Sequence, residues 1–417
     1  MRTTGIICEY NPMHSGHAYQ IDRVRAAGAD AVVLVMSGSF TQRGYPAFLG
    51  KYDRAEIALL AGADLVLELP YPYSASGAEY FASAGVRILE ALSVETLCFG
   101  SESGDADLLR TAAETALSDA FRAEFAEAGR SGVGSAAAYF SLLSARMGVT
   151  DFGSNDVLGV EYMKALLKYN CRMSPLVIRR NGSAYHTDAV ERDRHPSATA
   201  LRRAIEESPD RSPEGLHALY ARLSGLPRAA CAPFLRALRD GTAPARFEEN
   251  PGAILSFYRM HAPSDFADIA EMHGGLAERI CHAAHGATDT SEFFTLAATK
   301  KYTDSRVRRA VLYGMTGVTE ADLKSPPAYV NLLGASERGR AILSAYRKRA
   351  EKPIEIVTRP AAILDTDRPA AFLRQAELQR RSEALYTLFL PKTAPSGIYL
   401  RSRAVMKAGD RLPDAEG

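Results

Sequence analysis

Tryptophan is absent from the 417 residues, and cysteine is scarce: Cys8, Cys98, Cys171, Cys231 and Cys281 are scattered, with no CxxC pair. An odd, dispersed set is not a disulfide framework and fits reduced thiols in a cytosolic chain. Long apolar runs are also missing. No stretch approaches the ~20 apolar residues of a membrane helix, and the N-terminus shows no apolar signal-peptide core, so a cytoplasmic protein with no membrane partner is expected. Net charge is nearly absent too: 50 Lys and Arg stand against 49 Asp and Glu, leaving +1. Near-neutrality leaves nucleic acid open as a partner, because acids elsewhere can mask a local basic face. What is present, 47% hydrophobic and 24% charged residues, excludes a wholly disordered chain. The length suggests roughly two to three domains. Internal repeats and low-complexity tracts are lacking.

The pattern along the chain divides near residue 207. Before it, short apolar runs alternate with helical stretches: "TTGIIC", a helix from about Gly16 or His17, "DAVVLVMSG", the helix "KYDRAEIALLAGA", "DLVLELP", the helix "AEYFASAGVRILEALS" and "VETLCFGSE". "MSPLVIRR" reads as another strand and "SATALRRAIEES" as a helix. Strands alternating with helices imply βαβ units and a mostly parallel sheet, and continuous apolar runs suit strands covered on both faces. The expected fold is α/β, a Rossmann-like doubly wound sheet over 1–207, followed by a mainly helical region over 208–417. The Pro- and Ser-rich "EESPDRSPEG" marks the change.

The first strand runs into "CEYNPMHSGHAYQI", residues 8–21. In a doubly wound sheet, ligands bind at the carboxyl ends of the strands. A helix starting here aims backbone N–H groups and its positive dipole end at the loop, which makes an anion site. His14 and His17 lie three apart around Gly16, where a phosphate could approach the backbone without a Cβ in the way. Two imidazoles there would suit phosphates whose charge grows as pyrophosphate leaves. Capping or surface histidines are the simpler alternative. No third metal ligand is evident nearby. A second element, "HPSATALRRAI", puts Ser197 and Thr199 at a helix start and Arg202 one turn in. Ser197 could merely cap that helix; hydroxyls with an Arg could also hold a phosphate chain.

HxGH after the first strand with SxTxxR late in the same unit resembles the α/β-phosphodiesterase nucleotidyltransferases, which include class I aminoacyl-tRNA synthetases and nicotinate nucleotide adenylyltransferases. The strings "GIICEYNPMHSGHAYQI", "MSGSFTQRGYPAFLGKYDRAEIALLAGADLVLELP", "AEYFASAGVRILEAL", "LCFGSE", "SNDVLGVEYMKAL" and "KKYTDSRVRR" are similar, in order, to the bacterial tRNA(Met) cytidine acetate ligase family. The resemblance runs from the N-terminus to at least residue 350. It implies an enzyme that activates acetate with ATP as acetyl-adenylate, releases pyrophosphate and acetylates N4 of the wobble cytidine of elongator tRNA(Met). It also implies His14 and His17 as catalytic residues. ATP would lie along Ile7, Cys8, Glu9, Tyr10, Asn11, Pro12, Met13, His14, Ser15, Gly16, His17, Ala18, Tyr19 and Gln20. Gly100, Asn155, Arg179 or Arg180, Ser197, Thr199 and Arg202 would complete the pocket, with Mg²⁺ a possible companion. Ser15, Gln20 and Ser39 depart from the family's strings.

Taken alone, Gly100 could be a simple turn, Asn155 a helix cap and Arg180 a surface ion pair. Gln42, Arg43, Lys51 and Arg54 read as a loop after the second strand, where function often resides. Further on, Lys300, Lys301, Arg306, Arg308 and Arg309, and then Arg338 and Arg340 with Arg347 to Arg349, would give helices a basic stripe for phosphate contacts with tRNA. "CHAAH", 281–285, is expected to be structural. Two other readings compete. A cofactor-making nucleotide adenylyltransferase needs no basic helical half, and a non-catalytic ATP-binding RNA adaptor needs no HxGH. The oligomeric state is not legible.

Overall fold

The computed structural model describes residues 1–130, 136–180, 198–208, 210–222, 227 and 230–407. Ser197 lies outside these residues, as does the side chain of Thr199, whose backbone is helical.

Eight strands form one sheet among the described residues: β1 Thr3–Cys8, β2 Ala31–Ser37, β3 Leu65–Leu69, β4 Thr96–Ser101, β5 Ser174–Arg179, β6 Tyr329–Ala335, β7 Glu355–Val357 and β8 Val405–Met406. Their order is β5-β4-β1-β2-β3-β6-β7, with β8 beside β6. β1 to β5 pair in parallel, while β6 runs antiparallel to β3. The chain builds outward from β1 to β3 and then returns to place β4 on the other side of β1. The order reverses there, so the loops after β1 and β4 part and leave a crevice at the carboxyl edge.

Every residue of β2, β3 and β6 is buried, which explains their continuous apolar runs. Val33, Val35, Leu67 and Phe99 pack with Phe81, Ile88 and Val160 on one face. Val32, Leu34, Met36 and Val66 pack with Ile21, Val24 and Ile57 on the other. A third core gathers Tyr258, Ile280, Phe293, Val311 and Tyr386 from the later helices, together with Phe40, Ala47 and Tyr71 from the loops after β2 and β3. The helical region is therefore moulded onto the carboxyl edge of the sheet. The described residues beyond 208 are mainly helical, as expected, but they also supply β6, β7 and β8, so the sheet is shared across residue 208.

Lys51 and Arg54 belong to the Lys51–Leu60 helix rather than to a loop, and both are fully buried. Arg54 donates to the carbonyls of Leu49 (3.0 Å), Glu9 (2.7 Å), Ser37 (2.9 Å) and Gly38. One guanidinium thus binds the ends of β1 and β2 together. Lys51 Nζ meets Glu68 at 2.9 Å and also contacts Glu383. "CHAAH" proves structural in part: Cys281 is buried, and His282 and His285 are exposed.

Candidate active site at the carboxyl edge of the sheet

The first helix spans Ser15–Ala26, and His14 is its N-cap. His14 Nδ1 accepts from the Gly16 N–H at 3.1 Å, and His17 Nδ1 accepts from the His14 N–H at 3.3 Å. The two imidazoles cap the helix reciprocally, as a Ser and a Glu do in a capping box. Their rings stack with centroids 3.8 Å apart, and Tyr10 lies 4.8 Å from His17. Capping and catalysis are not alternatives here. An Nδ1 that accepts a backbone N–H carries no proton, so in the neutral ring the proton sits on Nε2. The caps hold both side chains as Nε2–H donors.

Burial, then the neighbouring His14, then Arg180 hold the His17 pKa well below the ordinary imidazole value. His17 is accordingly neutral at pH 7, a donor through Nε2–H without the second proton of an imidazolium. Two consequences follow. Acetate-dependent ATP turnover should show no loss from His17 protonation between about pH 8 and 6.5, where an ordinary imidazole begins to charge. Stability linked to His17 is fully present above its unfolded pKa of about 6.5 and is lost as pH falls toward the depressed folded value, because the unfolded chain then binds the extra proton. A titration of the His17 ring by NMR tests both, and a midpoint at or above 6.5 contradicts them.

The loop between β1 and the helix is held from several sides. Tyr10 has φ +47°, an unusual conformation for a bulky residue. Ile7, Cys8, Tyr10 and Met13 are buried in the core, so the side chains of these expected ATP contacts serve packing and their backbone lines the loop. Asn11 Oδ1 accepts from the Phe48 N–H (2.6 Å), and Asn11 O accepts from Arg202 Nη1 (2.6 Å). This last bond brings the SxTxxR helix, Ala198–Glu206, onto the HxGH loop. Gln20 Nε2 reaches Cys98 Sγ of β4 at 3.6 Å. Glu9 accepts the Gln42 N–H at 2.7 Å; burial raises its pKa against the opposing pull of that bond and of Arg43, Arg202 and Arg54.

The other wall is built from β4, β5 and the Ser154–Lys168 helix. Gly100 faces Arg180: a Cβ there would lie 3.2 Å from Arg180 Cγ. Arg180 Nη1 continues to Asn155 Oδ1 at 3.3 Å. Arg179 turns elsewhere, its Cβ lying 2.6 Å from where a Cβ on Gly104 would sit. The structure therefore separates the two arginines: Arg180 lies against Gly100 and Asn155, close enough for its charge to act on His17, and Arg179 lies against Gly104. Asn155 does not cap its helix. Glu102 does so from the loop after β4, accepting the N–H groups of Asn155 (3.0 Å) and Asp156 (2.8 Å) and Asn155 Nδ2 (2.6 Å). Sequence reasoning missed Glu102; its only signal was its place just past Gly100 in "CFGSE".

The basic residues of the C-terminal half divide. Lys300 and Lys301 sit in the loop before the Asp304–Thr316 helix and are exposed. Lys301 Nζ lies 3.0 Å from Gly274 O. Arg306 donates to Glu271 O at 3.2 Å, and Arg309 is paired with the Glu271 carboxylate at 2.8 Å. Arg308 is buried. Arg338 reaches Asp30 O (3.2 Å) and Arg340 reaches Lys407 O (3.3 Å). Asp30 precedes β2, so this group stands at the amino edge of the parallel strands. Arg349 caps the Ala78–Ala91 helix through Ala91 O and Leu92 O. The two basic segments thus lie at opposite edges of the sheet, with several members held internally.

No helix among the described residues is long and apolar enough to cross a membrane. Residues 1–397 match the HIGH Nucleotidyl Transferase family. The chain is 35% identical to the tRNA(Met) cytidine acetate ligase of Caldanaerobacter subterraneus subsp. tengcongensis over 366 residues, covering 85% of this chain and 88% of that one. It is 34% identical to the protein of the same name from Syntrophotalea carbinolica, covering 94% and 95%. The crystal structure of apo Thermotoga maritima TmcAL superposes with a TM-score of 0.87 at 29% identity, covering 98% of this chain and all (100%) of that one. The form bound with alpha-thio ATP gives 0.85 at 29% identity, with the same coverage. With HxGH, the SxTxxR arginine and the crevice in place, the chain belongs to the tRNA(Met) cytidine acetate ligase family of HIGH nucleotidyl transferases.

Proposed function

We propose that this protein joins acetate to ATP and then transfers the acetyl group to N4 of the wobble cytidine of elongator tRNA(Met). The observation that carries the reading is the pair of reciprocally capped imidazoles at a helix N-terminus in the crevice beside β1. ATP phosphates lie against the positive end of the Ser15–Ala26 helix. The acetate oxygen attacks the α-phosphorus, a P–O bond forms, and the bond to the β-phosphate oxygen breaks. The Nε2–H groups of His14 and His17, with the Arg180 and Arg202 guanidiniums, meet the charge gathering on pyrophosphate. Fixed neutral donors need no reorganisation as that charge develops. In the second step the cytidine amine attacks the acetyl carbon, AMP leaves, and the amine loses a proton. Mg²⁺ would arrive with the phosphates, since it takes few protein ligands in such sites. Among the described residues no group of three His, Cys, Asp or Glu gathers as a metal site. ATP and tRNA as substrates suit a cytoplasmic location.

The proposed division of labour keeps ATP chemistry in 1–207 and gives tRNA docking chiefly to the helical region over 208–417. Lys300 and Lys301 are exposed cations in the loop that leads into the Asp304–Thr316 helix. Replacing both with Gln should weaken tRNA binding and flatten the slope of log affinity against log salt by about 0.7–0.9 for each phosphate no longer neutralised. Pyrophosphate release with acetate alone should stay unchanged. An unaltered slope marks the two lysines as a solvated face. The reading as a whole is tested by incubating the pure protein with ATP, labelled acetate and total tRNA, followed by nucleoside analysis. Label in N4-acetylcytidine is the expected result. Transfer of AMP to a mononucleotide in place of acetyl transfer would favour a cofactor-making adenylyltransferase, and ATP binding without turnover an adaptor.

A further inference from the structure

Among the described residues, Tyr19 (37%) and Tyr45 (43%) are the aromatic side chains that stay exposed. Both stand at the carboxyl edge of the sheet, Tyr19 on the HxGH helix and Tyr45 on the loop after β2. The backbone at Tyr45 is tied into the loop. Its carbonyl accepts from the Thr41 N–H (2.9 Å) and Thr41 Oγ1 (3.2 Å), and the Gly44 N–H closes on Thr41 O at 2.8 Å. Phe40 and Pro46 bridge the base of the loop. Gly44 adopts φ +77° with the backbone of Arg308 and Arg309 pressed so close that a Cβ would come within 2.8 Å. Earlier in the same loop, Gln42 is tied through its N–H to Glu9 of the catalytic loop.

Behind Tyr45 stands Arg308. Its guanidinium lies 4.0 Å from the ring centroid, and its Nε donates to Arg43 O at 3.3 Å. Among the described residues no carboxylate pairs with it, and burial lowers its pKa. A buried cation is costly without a partner; this one meets the rings of Tyr45 and Phe294 and the Arg43 carbonyl, and the Asp304 carboxylate acts on it electrostatically without pairing. The result is an exposed aromatic face on a loop tied through Gln42 to Glu9 of the catalytic loop, with positive charge behind it. Unpaired RNA bases are recognised by stacking on such faces.

We propose that Tyr45, backed by Arg308, is the platform on which an unpaired base of the substrate RNA stacks while the target cytidine enters the site. The proposal rests on the acetyl-transfer reading above and adds the residue that positions the RNA. Tyr45 is a positioning residue: it serves the second step and leaves acetate activation alone. Tyr45→Ala should lower kcat/KM for tRNA about 5- to 150-fold, the range that loss of one base stack gives. Acetate-dependent pyrophosphate exchange without tRNA should be unchanged, and Tyr45→Phe should restore most of the loss. Because the chain has no tryptophan, Tyr45→Trp creates a single-indole reporter, and saturating deacylated tRNA should quench its emission. Any of three results overturns the proposal: wild-type kcat/KM for tRNA in Tyr45→Ala, an equal loss in both half-reactions, or bound tRNA that leaves the indole unquenched. Absence of acetyl transfer by the wild-type protein, with quenching intact, would instead count against the acetyl-transfer reading while supporting the stacking platform.

Discussion

His17→Ala should lower acetate-dependent ATP turnover by about 100-fold or more. That scale is the cost of removing one preorganised donor aimed at developing charge. Because the donor acts on charge that grows only as pyrophosphate departs, kcat and kcat/KM for ATP should fall together while ATP binding changes little. The variant also loses a cap, since His17 Nδ1 accepts the His14 N–H. A lost cap costs typically about 1 kcal/mol, far too little to unfold a domain with a stability of about 5–15 kcal/mol. Rate and stability can thus be read separately: an unfolding curve close to wild type beside a 100-fold slower exchange is the expected combination. His17→Asn keeps a donor of similar reach and should recover part of the rate. Turnover like wild type in His17→Ala, with the fold intact, would remove His17 from the chemistry.

Lys51→Met should destabilise the protein by about 3–5 kcal/mol, because it strips the cation from a buried acidic cluster. Lys51 is 1% exposed and Glu68 0%. Burial alone would push the Lys51 pKa down, but Glu383 and then Glu68 outweigh it and raise it, so the ammonium is charged at every working pH. Asn331 Nδ2 donates to Glu68 at 2.8 Å, and Gln379 Nε2 donates to Glu68 and Glu383, both at 2.9 Å. These residues come from the second helix, β3, β6 and the Ala370–Tyr386 helix, so the cluster ties the catalytic half to the C-terminal segment. It also supports the site, since a Cβ on Gly38, the residue after β2, would fall 2.2 Å from Glu68 Oε1. The triple variant Lys51→Met, Glu68→Gln, Glu383→Gln removes the charges together and should regain most of the loss. Denaturant unfolding of the single variant within about 1 kcal/mol of wild type would show that the carboxylates find other compensation.

Much of the catalytic half was legible in the residues. β2, β3 and the helix between them are local patterns, apolar runs of five to seven residues and an amphipathic repeat, bounded by Ser-Gly and Pro70. HxGH was legible because its parts lie within four positions at a strand-to-helix junction, where helix physics alone predicts an anion site. β6 was missed although "YVNLLGA" is nearly as apolar as β2. It follows two prolines amid helices, and its partner β3 lies far earlier in the chain, Leu65 pairing with Ala335, a match that no local period encodes.

Residue type by itself determined the α/β class, the location of the phosphate loop and the presence of cations in the later helices. Only the tertiary structure decided which cations face water. Lys51, Arg54 and Arg308 have the same charge as Lys300, yet they are buried against carboxylates, carbonyls and a tyrosine ring. It likewise assigned the capping of the Ser154–Lys168 helix to Glu102, set Arg180 rather than Arg179 against Gly100 and Asn155, and set Arg338 at the far edge of the sheet. The reason is physical. A long basic side chain gains by solvation or by a partner, and the partner is supplied by chain segments that only folding brings near.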